Sequence, residues 1–488
     1  MKGNVKDSVS FQHPDYDEKK PSWVKVRDCL EGEDRIKSKR ETYLPRPSGM
    51  SGRYEKAYDA YIERAHFPLT VGFALQGALG IIVTKLPEFN VPKELEYILE
   101  NSTKDGRSLS QLFLDVVIEA FLTGRVPLLV DVVPEKNEFR FVQYQAEDFI
   151  NWKTSPYGET ENSLILGVFE EEHEDPDAIY SQDTITKYRV LKYANGIYKS
   201  ELHTVGSSGD KTPVIEERTP SLRGKPFTQI PLFNVGSINN SFDVQPIPLI
   251  AVANCSVQIY RKEADLANSE FLSCNPTLCI TGANTKKELP NVVGSSVMIV
   301  LQNEQARVFY TKTDTAALSH VTNHIESLYD ESIRHGVAVL DSRKGVEAAE
   351  SLRIRQATQS ASLYSIYLSA INAIQSGLKA MCKCGGYDES QIIADAPNSL
   401  SQGIPDSALV KALSDSCKEG TIPLSVIHKY LVDTGLISQT IGFHEYVELL
   451  EQERYDELVS KGRTNEEGES GSSVTKKEEE LEGVEDQM

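Results

Sequence analysis

The sequence predicts an α+β multidomain protein, and three observations carry that expectation. A helical pattern closed by Gly124 runs directly into the buried-strand run Val126 to Val133. Asn195-Gly196 separates two alternating runs, the pattern of a tight hairpin whose two turn positions need positive φ. Leu249 to Ser273 is a helical stretch free of Gly and Pro, and Val346 to Met381 is a second long helical candidate. The chain has 488 residues, too many for a single hydrophobic core.

Composition removes several classes. Hydrophobic residues make up 40% and charged residues 25%, near globular averages, which excludes collagen-like, fully disordered and membrane-embedded chains. The seven cysteines, Cys29, Cys255, Cys274, Cys279, Cys382, Cys384 and Cys417, are odd in number and irregular in spacing, as expected of free thiols in a reducing compartment. Met1 to Phe11 has no apolar signal core, and the longest apolar stretch is broken by Gly72, Gln76, Gly77 and Gly80, so no export signal or membrane span is expected. The net charge of −21 disfavours tight binding to a phosphate backbone. Lys461 to Met488 holds nine acidic and four basic side chains, net −5, which leaves −16 on the remainder.

In chain order, residues 1 to 52 are polar with anchors at His13, Tyr16, Trp23 and Tyr43, and read as an arm. Tyr54, Tyr58, Tyr61 and Ala65 define a helix that must end by Pro68, and Leu69 to Leu79 a second. Ser108 caps a helix whose stripe is Leu109, Leu112, Phe113, Val116, Val117 and Ala120. Strands are expected at 139–144, 164–169, 188–193 and 197–202, so 53 to 240 reads as one α+β domain. The stretch 249 to 273 would form a rod of roughly 37 Å at about 1.5 Å per residue. Short β runs follow at 277–280, 297–301 and 308–310, then a helix from Ala316 to His335 closed by Gly336. Val337 to Gly345 is a connection containing Asp341, Arg343 and Lys344. Helices at 407–418, 423–434 and 444–461 form a small helical module, and the Glu/Ser/Gly/Lys-rich stretch from Gly462 on is expected to stay disordered.

Motifs that carry chemistry are missing. No phosphate-loop pattern with its Lys occurs, and Gly77-Ala78-Leu79-Gly80 reads as helix packing. Cys382-x-Cys384 lacks a second ligand pair at zinc spacing. His320 and His324 share a helix face but make only two ligands, against the alternative of a solvated or packed face. Glu170-Glu171-Glu172 and the run at Glu478 read as solvated charge. No cofactor, metal or enzymatic activity is implied.

The ordered landmarks resemble the portal proteins of tailed bacteriophages, the head-to-tail connector family. They are His13-Pro14-Asp15-Tyr16, Trp23 and Tyr43-Leu44-Pro45, then Gly124 to Asp131 and Ala146 to Trp152. Ile230-Pro231-Leu232, Pro248-Leu249-Ile250, Asn254 through Asp265, Glu350-Ser351-Leu352-Arg353 and Gly420 to Ser425 continue the order. Pro423 and Ser425 depart from that family's usual turn.

The resemblance implies a homo-oligomeric ring of about twelve subunits at one capsid vertex, around a channel for double-stranded DNA. It implies an N-terminal arm (1–52), an α+β wing (53–245), a first stem helix (246–273), a β-containing clip (274–315) and a second stem helix (316–336). A channel loop (337–345), a long helix returning to the wing (346–404), a helical crown (405–460) and an acidic tail (461–488) complete it. Asp341, Arg343 and Lys344 would then face the channel, where the two cations either touch passing phosphates or are merely solvated. An acidic channel wall would favour sliding over sticking, although the acidity equally serves solubility. Implied partners are the major capsid protein, the terminase large subunit, a head-completion or adaptor protein or tail protein, and DNA, with no membrane. The location would be the virion, after assembly in the host cytoplasm. The competing reading is another oligomeric virion or head-morphogenesis protein that passes no DNA.

Overall fold

The computed structural model describes residues 8–50, 55–133, 136–155, 164–175, 181–204, 213–274, 277–282, 299–301, 303–311, 318–336, 349–395, 407–418, 422–433, 437 and 442–452. Two compact units divide the chain, 1–400 and 401–488. The first mixes helix and sheet.

It begins with α1 (Pro14–Glu31) and α2 (Glu33–Ser38), which replace the expected arm with packed helix. Pro14 at the first helical position has no N–H to orphan, and the Nδ1 of His13 accepts the Asp15 N–H at 3.2 Å. Tyr16, Trp23, Val26 and Cys29 place one face of α1 in the core. The indole of Trp23 donates to the Thr123 carbonyl at 2.9 Å and the Tyr16 hydroxyl to the Glu147 carbonyl at 2.7 Å. The polar face that made this region read as an arm is therefore only its solvent side.

Next come α3 (Glu55–Arg64), which ends before Pro68, and α4 (Thr70–Val83). Gly80, expected to pack closely, has no atom within 4 Å of where a Cβ would stand. It lies on the outer side of α4 with the exposed Phe73 and Val83. After β1 (Glu88–Asn90) and α5 (Tyr97–Glu100), α6 (Leu109–Thr123) opens on a reciprocal capping box between Ser108 and Gln111. Gly124 closes it at φ 70°, and an added Cβ would stand 2.4 Å from the Pro246 carbonyl oxygen, so only glycine fits.

The chain turns there into β2 (Arg125–Val133), followed by β3 (Glu138–Gln143), β4 (Phe149–Thr154), β5 (Leu164–Glu174), β6 (Thr184–Ala194), β7 (Ile197–Thr204) and β8 (Val214–Arg218). Strands β4 to β8 form a five-stranded antiparallel meander in sequence order. Its β6–β7 turn has Asn195 at φ 55° and Gly196 at φ 80°. The small hairpin of β9 (Ser221–Leu222) and β10 (Lys225–Pro226) leads to β11 (Leu232–Gly236). A second sheet has the order β11-β2-β3.

Pro127 lies in the central strand of that second sheet without breaking its ladder. Its carbonyl faces the β3 side and accepts the Tyr144 N–H at 2.9 Å. The missing N–H faces the same side, beyond the last β3 pair, Leu128 with Gln143.

Helix α7 (Ile250–Cys274) leads to the ribbon of β12 (Thr277–Thr281) and β13 (Arg307–Thr311), and α8 (Leu318–Gly336) follows it and packs against α7. Residues 299–301, within an expected strand, have no regular structure, and 297–298 lie outside the described residues. Helix α9 (Ala349–Gly385) packs on the three-stranded sheet, where a Cβ at Gly377 would stand 2.5 Å from the Phe141 ring. Its continuation, β14 (Ile393–Asp395), pairs with β1 and ties this part of the chain to residues 88–90. The second unit contains α10 (Ser407–Lys418), α11 (Leu424–Asp433) and a helical segment at 443–452.

Candidate functional site

The α7–α8 pair divides into a buried and an exposed half. Val252, Ala253, Cys255, Ser256, Val257, Ile259, Tyr260 and Ala264 bury the first part of α7, and none of Asp265 to Cys274 is buried. The pair itself is held by a small cluster of Ile259, Ile325 and Leu328, flanked by Leu266, Val321 and Tyr329. The ribbon at its end is solvent-facing: every residue of β13 is exposed, including Val308, Phe309 and Tyr310 at 42–51%. Phe271 and Leu272 are also exposed, with the Arg64 guanidinium over the Phe271 ring at 3.7 Å. A two-stranded ribbon is marginal alone, and its outer edges, unpaired among the described residues, invite pairing. Large apolar side chains on such a ribbon define a contact surface.

A cleft of about 1170 Å³ lies between α1, α6 and the sheets. Two of its lining carboxylates are tied together by Arg27, with Nε 2.6 Å from Glu147 and Nη1 3.1 Å from Glu119. Burial raises the Arg27 desolvation cost, but the hydrogen bonds to Glu147 and Glu119 dominate and hold it firmly protonated. Burial leaves the Glu119 carboxyl above its ordinary value despite Arg27. Asp148, beside them, is pushed up to about 6 by burial and by the charges of Glu147 and Glu119, while the Gln145 N–H partly opposes this.

Glu171 corrects the solvated-charge expectation. It takes both Arg189 hydrogen bonds, at 2.6 and 3.0 Å, and the Tyr144 hydroxyl at 2.7 Å, with His173 at 2.9 Å. Burial raises its pKa, but these donors outweigh burial and bring the carboxyl below its ordinary value. Asp131 is shared by Arg140 and Arg218 at 3.1 and 3.2 Å. These carboxylates are clamped by guanidinium groups, as in a structural network.

Arg125 is fully buried, with its guanidinium over the Trp152 ring at 3.9 Å and over the Phe149 ring at 4.4 Å, and His13 stacks on Trp152 at 3.9 Å. Its Nε and Nη2 have no hydrogen-bond partner among the described residues. Burial pushes its pKa down to about 9, which still leaves a cation at neutral pH, stabilised by the ring faces. Nothing in the local sequence marks Arg27 or Arg125, because their partners lie 92 and 120 residues away for Arg27 and 24 for Arg125.

All seven thiols are free, with Cys382 and Cys384 buried. Burial pushes Cys382 up to about 11, away from thiolate chemistry. His320 and His324 are exposed on α8, and among the described residues no group of three or more His, Cys, Asp or Glu could hold a metal. Among the same residues no helix is long and apolar enough to cross a membrane. The loop 337–345 with Asp341, Arg343 and Lys344, and the tail 462–488, lie outside the described residues.

A family model described as "Domain of unknown function (DUF4055)" matches residues 248–383, the span from α7 into α9. No curated protein matches the chain. Solved structures similar to it include a chain of the neck of an empty gene transfer agent particle computed with C6 symmetry, at 11% identity and TM-score 0.39 over 75% of this chain and 90% of that one. A chain from the virion of a native gene transfer agent particle is similar at 9% identity and TM-score 0.37, covering 73% and 86%. A chain of the native particle's neck computed with C12 symmetry has 10% identity and TM-score 0.34, covering 72% and 86%. At these TM-scores the likeness carries no argument about function.

Proposed function

We propose that the chain is a portal protein of the tailed-phage type, a ring-forming subunit through whose centre double-stranded DNA is packaged and ejected. The observation that carries this reading is the α7–α8 pair, which leaves the core and ends in an exposed apolar ribbon. Such a ribbon has no stabilising partner within its own chain among the described residues and gains one when copies stand side by side. The ordered landmarks from His13 onward support the same reading.

In this reading α7 and α8 are the stem, β12 and β13 belong to the clip, and the antiparallel sheets of β2 to β8 and β11 form the wing. Helix α9 returns to the wing, and α10 and α11 belong to the crown. The 337–345 loop lines the channel, with Arg343 and Lys344 offering transient contact to phosphates against an acidic wall. The ring docks the terminase large subunit during packaging and head-completion or tail proteins afterwards, within a vertex of major capsid protein. Its role is structural, and nucleotide hydrolysis belongs to a separate motor. The test is the mass of the full chain in solution: a species near twelve times 54.3 kDa supports the reading, and a monomer or dimer at assembly concentrations contradicts it.

A further inference from the structure

Asp131 on β2 is held by two guanidinium groups at once, from Arg140 on β3 and Arg218 on β8, and both bond its Oδ2, at 3.1 and 3.2 Å. One carboxylate against two cations leaves a surplus charge of +1. Each arginine spends only Nη2 on that carboxylate, and its Nε is buried without a partner among the described residues. Nη1 of each, by contrast, makes no hydrogen bond among the described residues and is open to solvent. The two side chains are 27% and 32% exposed and line the cleft of about 1170 Å³, so an occupant can reach them.

The other charges of the cleft are divided. Arg189 holds Glu171, Arg107 holds Asp115, and Arg27 holds Glu119 and Glu147. Glu170 and Glu172, which have no ion-pair partner among the described residues, belong to β5. That strand lies three places from β8 in the meander, roughly 14 Å at about 4.8 Å per strand and beyond a Debye length at physiological salt. Lys104, exposed and without an ionic partner among the described residues, adds a cation to the lining. With Nε buried and Nη2 spent, neither guanidinium offers the two-nitrogen edge that takes a flat carboxylate. What remains is one nitrogen on each of two groups standing side by side, which suits an oxyanion whose oxygens point in several directions.

We propose that this cleft binds a phosphate group, free or as the monoester of a small molecule, on Nη1 of Arg140 and Arg218. Its volume exceeds what a phosphate fills and leaves room for the organic part of a monoester. A DNA duplex fits less well, because Asp148, Glu170 and Glu172 line the same cleft and repel a polyphosphate. The proposal does not rest on ring formation.

The test is isothermal titration calorimetry of the full chain in a chloride buffer, with inorganic phosphate, phenyl phosphate and benzoate as probes. Saturable binding of phosphate is expected, with benzoate weaker by roughly tenfold or more. Tighter binding of phenyl phosphate identifies a monoester as the occupant, and tighter binding of inorganic phosphate the free ion. Arg140→Gln and Arg218→Gln, taken singly, each leave one guanidinium on Asp131, so thermal unfolding should stay near the parent's while phosphate affinity falls by roughly tenfold or more. Lys104→Glu, exposed and outside the Asp131 network, keeps the fold and should weaken binding through repulsion. Absence of saturable phosphate binding by the parent overturns the proposal, as does parent-like affinity in the folded arginine variants. Benzoate bound as tightly as phenyl phosphate overturns it too, and so does displacement of phenyl phosphate by a short DNA duplex at equal or lower phosphate concentration, in favour of a nucleic-acid contact.

Discussion

Arg125 and Asp148 show how single residues carry cost as well as cohesion. Arg125 exchanges water for two aromatic faces and leaves two donors idle, so a methionine of similar volume should fold as well as the parent. Arg125→Met is expected within about 1 kcal/mol of the parent in urea unfolding, whereas Arg125→Ala, which opens a cavity beside Phe149 and Trp152, loses about 2–5 kcal/mol. Equal losses in the two variants would show that the charge, not the packing, is what matters there. Asp148 titrates near 6 in the fold against about 3.9 in an unfolded chain. Between those values the native state holds a proton that the unfolded state has released, so its contribution to stability falls as pH rises through the window and stays reduced above it. Asp148→Asn keeps an acceptor for the Gln145 N–H and should stabilise by on the order of 2 kcal/mol at pH 7.5, with the gain vanishing near pH 3.5. A gain independent of pH would locate the effect elsewhere.

Elements whose signals are local were legible. Ser108, Gly124 and the apolar run after it fix α6 and β2 from within a few residues, and Asn195-Gly196 fixes the β6–β7 hairpin. The helices α7 and α9 were legible from length alone. What was not legible depends on distant partners. The α1 helix looks like a polar arm until Thr123 and Glu147 are seen to bond Trp23 and Tyr16. Glu171 looks solvated until Arg189, 18 residues on, reaches it. The cleft lined by Lys20 and Arg218 joins elements more than a hundred residues apart. The ribbon gives the element-scale prediction. Phe309→Ser with Tyr310→Ser should leave unfolding of the unassembled chain within about 0.5 kcal/mol of the parent, because both side chains are exposed, yet reduce or abolish the high-mass assembly. An unchanged assembly mass would remove the ribbon from the subunit contact.

At the scale of the whole molecule, acidity and surface apolarity act on different parts. The last 28 positions carry net −5 and almost no apolar residue, so truncation before Gly462 should leave the assembly mass per subunit ratio unchanged in ultracentrifugation. Loss of assembly would make that stretch a contact element. The remaining −16 stays with the body, where it disfavours tight capture of DNA. A ring that lets a duplex move needs that absence of tight binding as much as it needs an opening. The most direct measurement is therefore electron-microscopic averaging of end-on views of the purified full-length assembly. The account predicts closed rings of near-twelvefold symmetry with an open centre wide enough for a DNA duplex, and closed particles without a central opening, or particles with no rotational symmetry, would contradict it.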